Sequence, residues 1–415
     1  MNEIVRKHRP DFLILLFMAV LMLVGMVVIY SISPALTERI NTFGNTLDQN
    51  HFMYRQAVYL IVGLMAFAFT AIMPLGLWRK YQSQLLVAAL LVSLVPTLAQ
   101  SSKLVLCTNG ACRWINFGAF TIQPAEALKF AMVIFLAGFL ATRVSTDRLN
   151  KVNETLVPVG IILAVVAMIV VGLQKDLGTG LAFFGIMVCM LYVAGLKIRY
   201  FVLALIGLLI AGALFTITSV HRLERVSTFV HGANDKEGTG YQINQALIAI
   251  GSGGITGKGL GQGVQAFGYL PEAANDSIFA VVAESLGFIG IVLILIIFAM
   301  LFLRLLRVMD YAGSDYHRIL MAGIFGWIFT HTVVNIGAML GVFPLTGVTL
   351  PFLSFGGTSL LFIMAALGLA FQISRYTMHK LPDNQSKKEK PHEDRRGRRR
   401  ISGSRYAGTS RFERT

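Results

Sequence analysis

The chain has 415 residues, 55% of them hydrophobic and 14% charged, with a mean hydropathy of +0.67. A soluble domain carries about a quarter charged residues, so an ordinary soluble enzyme is excluded, and repeated apolar runs of about 17–25 residues assign an all-α polytopic membrane protein. The net charge of +15 does not point to nucleic acid, because eleven of the 36 Lys and Arg fall in the last 35 residues, in a polar tail.

The first apolar run, 12–30, is too long for a signal-peptide core and no small-residue cleavage site follows it, so it reads as a retained helix. Further predicted spans are 57–78, 82–99, 125–142, 157–173, 178–196, 200–219, 278–303, 319–340 and 359–374. Lys and Arg cluster in alternate connections: Arg6, Lys7 and Arg9; Arg79 and Lys80; Arg143, Arg148 and Lys151; Lys197 and Arg199; Arg304, Arg307 and Arg318. With those on the cytoplasmic side, ten helices leave both ends inside and the long loop 220–277 outside. Residues 1–376 then form the membrane domain. Residues 377–415 form a disordered basic tail that touches anionic membrane lipid or docks a partner.

Three outward segments carry most of the polar residues. In the first, Cys107-Thr-Asn-Gly-Ala-Cys112 puts Asn-Gly at the centre of a two-residue hairpin turn. Thr108 and Ala111 then form the hydrogen-bonded pair, and Cys107 and Cys112 face one another at a separation that suits a disulfide. Two free thiols are the other reading, and the role is structural in both. Cys189 lies mid-helix, and the three cysteines have no metal-ligand spacing. Gln123-Pro124-Ala125-Glu126 starts a helix, with Lys129 on the same face as Glu126. That pair either lines a cavity or fixes helix packing.

The second segment, Gln174 to Thr179, places Asp176 to cap the following helix. In the third, Arg222 and Arg225 suit a phosphate or a lipid head group, or act as interfacial anchors. Ile243 to Ile250 reads as a short amphipathic helix on the membrane surface. Gly251 to Gly263 invites a phosphate-loop reading but fails the nucleotide-binding pattern at Ser252 and Gly259. Its backbone can still cradle a phosphate, with Lys258 as a point charge. Asp276 stands at the start of a span, where a helix cap is the plain reading. Glu284, two turns deeper, needs a partner. Two prolines and three glycines between Phe343 and Ser359 predict a re-entrant or surface-lying segment lining a cavity.

Five ordered motifs carry a resemblance over about residues 12–376. They are Arg113-Trp114 through Gln123-Pro124 to Lys129, Gln174 to Thr179, Gly240-Tyr-Gln to Gly261, Leu270-Pro-Glu to Glu284, and Pro344 to Ser359. The chain resembles the SEDS family of bacterial wall synthesis, the FtsW, RodA and SpoVE proteins. The resemblance implies a ten-helix fold with a large extracytoplasmic loop between helices seven and eight. It also implies a peptidoglycan glycosyltransferase that polymerises lipid II at the outer face of the cytoplasmic membrane, for cell division or shape. The basic tail tilts the reading toward the division type.

In the family the aspartate after Leu-Pro-Glu is catalytic, and Asp276 matches it, as general base on the acceptor hydroxyl. Arg113, Glu126, Lys129, Arg222, Arg225, Lys258 and Glu284 are the accompanying substrate-binding candidates. No cofactor is required by the residues, and a divalent cation (Mg or Mn) is an admissible helper at the pyrophosphate. The implied partners are lipid II and the nascent glycan strand, a class B penicillin-binding protein, and divisome or elongasome proteins. The chain departs from the family's usual residues at Ala274, Asn275 and Ser277 around Asp276, at Ala266, at Lys175, and in the proline-free stretch 229–238. A lipid II flippase and a non-catalytic scaffold for the transpeptidase are the competing functions. A flippase needs polar groups through the whole depth of the bilayer, whereas here they gather on the outer side.

Overall fold

The structure, a computed structural model, describes residues 5–7, 9–42, 46–108, 111–118, 120–203, 205–207, 239–265 and 268–378. Arg222, Arg225, Ala266 and the tail beyond residue 378 lie outside the described residues. The elements in chain order are β1 (Val5–Lys7), α1 (Phe12–Asn41), α2 (His51–Ile72), α3 (Leu75–Lys80), α4 (Gln82–Leu98), β2 (Val105–Thr108), β3 (Ala111–Asn116) and β4 (Thr121–Ile122). They continue with α5 (Pro124–Ser145), α6 (Val152–Leu173, π-helical at both ends), α7 (Leu177–Ala194), α8 (Thr239–Ser252), α9 (Ile278–Asp310), α10 (Asp315–Met339), α11 (Gly357–Ile373) and β5 (Tyr376–Met378).

Among the described residues seven helices are long and apolar enough to cross a membrane: α1, α2, α5, α6, α7, α9 and α10. Shorter apolar helices are α4, Ile198–Gly207 and α11. Residues 208–219 of the expected seventh span lie outside the described residues. Several boundaries differ from expectation, the end of α1 and the start of α2 among them. Helix α1 runs on through Pro34 to Asn41, and α2 begins at His51 rather than near residue 57. Both extensions are too polar to register as membrane span, yet their backbones keep the helical hydrogen bonds. Side-chain hydropathy marks the lipid, not the helix end.

Helices α5 and α10 are mostly buried, while α6 and α9 leave broad apolar faces outward, as lipid-facing helices do. Helix α11 packs along α2, and α10 along α7. The core is close-packed aliphatic and aromatic side chains, among them Ile14, Met18, Leu128, Ile134, Phe183, Phe298, Trp327 and Leu353. The segment 344–356 has no regular structure and is nevertheless largely buried, with Leu350, Phe352, Leu353 and Ser354 enclosed. Irregular backbone at this position is sustained by protein contacts, such as the Leu350 amide on Ser354 Oγ at 2.8 Å.

The two ends of the described chain meet. Strand β1 pairs antiparallel with β5, Val5 opposite Met378. The Asp11 amide donates to Ser374 Oγ at 2.9 Å, and Arg304, near the end of α9, approaches Asp11 at 3.8 Å. Asp276 precedes the start of the same 33-residue helix, so it sits at the opposite end of the bundle, about 40 Å along the chain from Arg304. The Phe355 amide donates to Ala274 O at 2.8 Å, and the Gln123 amide to Thr358 Oγ1 at 3.3 Å. Helices α5 and α11 therefore start at the Asp276 end.

Candidate active site

Asp276 lies between three elements. Gln242 Nε2, on α8, donates to Asp276 Oδ1 at 3.3 Å and to Ser277 Oγ at 2.9 Å. Asn335 Nδ2, on α10, donates to the backbone carbonyls of Asp276 and Val348, both at 2.7 Å. Gly347, with φ +72°, brings its backbone so near that a side chain there would stand 4.0 Å from Asp276 Oδ2. Asp276 is only 8% exposed. The helix-cap reading is corrected here. The N-cap of α9 is Ser277, with no side-chain cap bond, and the aspartate faces α8 instead.

Burial pushes the Asp276 carboxyl up to about 7, and the nearby Glu272 carboxylate adds to the rise. The hydrogen bonds from its own backbone, from Gln242 and from Ser277 oppose that shift without cancelling it. Such a carboxyl exchanges its proton near neutral pH, which suits a general base. Glu272 itself is exposed and has a positive φ of 51°, and its carboxylate accepts from Asn275 Nδ2 at 2.5 Å.

The glycine-rich stretch forms a clasp on α9. Helix α9 breaks at Gly287, whose φ of 66° and ψ of −169° are non-helical. The groups freed by the break are taken up by residues 254–259: the Lys258 amide donates to Glu284 O at 2.9 Å and the Gly259 amide to Ser285 O at 3.1 Å. In return Gly254 O and Ile255 O accept from the Phe288 and Ile289 amides at 2.9 and 3.1 Å. Gly257, φ +82°, lies against Ser285 O with no room for a Cβ. Glu284, fully buried, accepts from Lys258 Nζ at 3.0 Å, from the Val264 amide at 2.9 Å and from the Gln265 amide at 3.2 Å. The partner that Glu284 requires is Lys258, and that lysine's charge is already engaged.

Among the described residues, Arg113, Glu126 and Lys129 are also engaged by protein groups. Arg113 Nε donates to Gln174 O at 2.9 Å and Nη2 to Lys175 O at 2.6 Å, with Nη1 4.0 Å from Asp176. Asp176 caps α7 as expected, accepting from the Thr179 amide at 3.0 Å, and also accepts from Gln123 Nε2 at 3.0 Å. Lys129, wholly buried, contacts Glu126 Oε1 at 2.8 Å and His331 Nε2 at 2.9 Å, and lies over the Trp327 ring at 5.2 Å. Of the two readings of Glu126 and Lys129, helix packing is the one this geometry carries. Cys107 and Cys112 face each other across β2 and β3 and are joined as a disulfide.

Gln242, His331 and Asn335 carry much of this arrangement; Gln242 stands in the Gly240-Tyr-Gln motif with no role of its own read for it, and His331 and Asn335 were not singled out in the sequence. The one available signal was His331 and Asn335, four residues apart on one face of an otherwise apolar span. For a divalent cation, no three His, Cys, Asp or Glu side chains converge among the described residues. Asp276 and Glu272 alone do not make a typical carboxylate site for Mg or Mn, so no chemical step is assigned to such an ion.

Comparison with known proteins agrees with this geometry. The family model described as "Cell cycle protein", covering FtsW, RodA and SpoVE, matches residues 11–379. Stage V sporulation protein E of Bacillus subtilis (strain 168) is 37% identical over 377 residues, 90% of this chain and 99% of that protein. The probable peptidoglycan glycosyltransferase FtsW of Aliivibrio salmonicida (strain LFI1238) is 33% identical over 377 residues, 89% and 91% of the respective chains. A chain in a solved peptidoglycan synthase complex that coordinates polymerization and crosslinking shares the fold, with a TM-score of 0.69 at 24% identity over 88% of this chain and 98% of that one. The chain belongs to the FtsW, RodA and SpoVE family.

Proposed function

We infer that this protein is a peptidoglycan glycosyltransferase that polymerises lipid II into glycan strands. The observation that carries the inference is the Asp276 carboxyl, enclosed between α8 and the Gly347 backbone and raised to about 7. Asp276 accepts the proton of the acceptor sugar hydroxyl as its oxygen attacks the anomeric carbon of the donor. The donor's bond to the lipid pyrophosphate breaks as the new glycosidic bond forms, and the electron pair leaves with the pyrophosphate. A single displacement inverts the anomeric carbon and needs no second carboxylate as nucleophile. The charge on the departing pyrophosphate calls for cations. Arg113, Lys129, Lys258, Arg222 and Arg225 are the candidates, and the first three also hold protein groups.

The chemistry belongs on the outer membrane face. The chain ends meet at the Arg304 end of α9, and the cationic connections Arg143, Arg148 and Lys151 follow α5, which starts at the Asp276 end. By the positive-inside rule that basic end is cytoplasmic and Asp276 is extracytoplasmic. A class B penicillin-binding protein is the expected partner, because strands polymerised here have to be crosslinked. The test is to incubate the purified chain and its transpeptidase with lipid II in detergent, where there is no bilayer to cross. Glycan strands are expected. Unreacted lipid II would reopen the flippase and scaffold functions.

A further inference from the structure

The Asp276 carboxylate is directed by how its backbone is held, and one side chain holds it from outside its own loop. Asn335 is 1% exposed, and its two amide hydrogens serve two carbonyls 72 positions apart in the chain, Asp276 O and Val348 O, each at 2.7 Å. Because both partners are carbonyls, the amide orientation is fixed by chemistry: only Nδ2 can donate to them. Val348 follows Gly347, where an added Cβ would stand 4.0 Å from Asp276 Oδ2. Asn335 thus ties the aspartate's own peptide to the segment that passes its carboxylate. One turn earlier on α10, His331 Nδ1 lies 3.4 Å from Thr349 O, so the same helix face grips two successive residues of the irregular segment.

We propose that Asn335 is a positioning residue for the glycosyl transfer, holding the Asp276 carboxylate at its working angle by clamping Asp276 to Val348. This rests on the reading of Asp276 as the base. Segment 344–356 has no ladder or helix to hold it, so its register against Asp276 depends on such side-chain bonds. A displacement of the reacting groups by about 1 Å costs on the order of 100-fold in rate. Loss of the clamp should therefore lower kcat and leave KM for lipid II nearly unchanged, since Asn335 is buried and both its amide hydrogens are taken by backbone carbonyls.

The test compares full-length wild type, Asn335→Ala, Asn335→Leu and Asp276→Asn, each with the transpeptidase partner, with rates normalised to folded protein. Asn335→Leu keeps the branched shape, loses both donated bonds and adds no charge beside Asp276, so it decides the matter if the alanine variant does not fold. Expected is a kcat fall of about 10–100-fold at near-constant KM. The pH midpoint of the rate should also move down from about 7, because a loosened carboxylate gains water. Glu272 is the charged neighbour that stays in place in every variant. A purely structural asparagine would reduce the amount of folded protein and leave kcat and the midpoint of the survivors unchanged, which would overturn the proposal. Activity retained by Asp276→Asn would remove the base itself, and both readings would fall. An inactive Asp276→Asn beside a fully active Asn335→Leu would sink only the clamp.

Discussion

Lys258 and Glu284 form an ion pair at 3.0 Å that closes a glycine-rich loop over a break in the longest helix. Glu284 has no exposure, whereas the lysine side chain keeps 34% of its own. Truncating the acid strands two loop amides and a cation, so Glu284→Ala should lose about 3 kcal/mol of stability, and Lys258→Ala distinctly less because the lysine is half in solvent. Thermal unfolding in detergent checks this; equal melting points for Glu284→Ala and wild type would contradict it.

Gly257 and Gly287 are two of the points where the clasp allows no side chain. Both have positive φ, +82° and +66°, and a Cβ at either would collide with the backbone of the other strand of the clasp. Gly257→Ala and Gly287→Ala should each destabilise by about 2 kcal/mol or more, through overlap and a strained dihedral together. Alanine at either site with an unchanged melting point would show that the break in α9 is not clasped.

The Asp276 carboxyl, raised to about 7, has a pH signature of its own. A base works only when deprotonated, so the polymerisation rate should climb about tenfold per pH unit well below 7 and flatten above it. The stability effect has the opposite slope. Between the ordinary carboxylate range and about 7 the folded chain holds a proton the unfolded chain has lost, so stability falls as pH rises through that window. Glu272→Gln removes a neighbouring negative charge and should move the rate midpoint down. A midpoint unmoved in Glu272→Gln would assign the rise to burial alone.

The disulfide between Cys107 and Cys112 closes a short hairpin next to Arg113, which braces Gln174 and Lys175. Such a small loop contributes about 2 kcal/mol through restriction of the unfolded chain. Cys107→Ser with Cys112→Ser should melt lower by that amount and still polymerise lipid II. Complete loss of activity in well-folded double variant would place the hairpin in the chemistry.

How far the sequence could be read follows from where each signal originates. The apolar spans and the Asp176 cap are local patterns, and they were legible, whereas the spacing around Asp276 read as a helix cap and only the family resemblance implied a base there. The glycine stretch was not legible, because glycine marks close approach without saying to what. The pattern fits a ligand phosphate and a neighbouring helix equally, and only the fold brings residues 254–259 to the break at Gly287. The roles of Gln242 and Asn335 were silent for a related reason. A side-chain amide acquires its meaning from the oxygens it meets, here the Asp276 carboxylate and the Asp276 carbonyl, 34 and 59 residues away along the chain.

The most direct measurement is lipid II polymerisation by wild type and Asp276→Asn, purified with the transpeptidase partner and matched for folded protein. Asparagine keeps the size of the side chain and its bond to Gln242 but cannot accept the hydroxyl proton. The account predicts glycan strands from wild type and a rate at least 1,000-fold lower, on the order of a lost catalytic base, from Asp276→Asn. Equal rates would contradict it and place the base elsewhere.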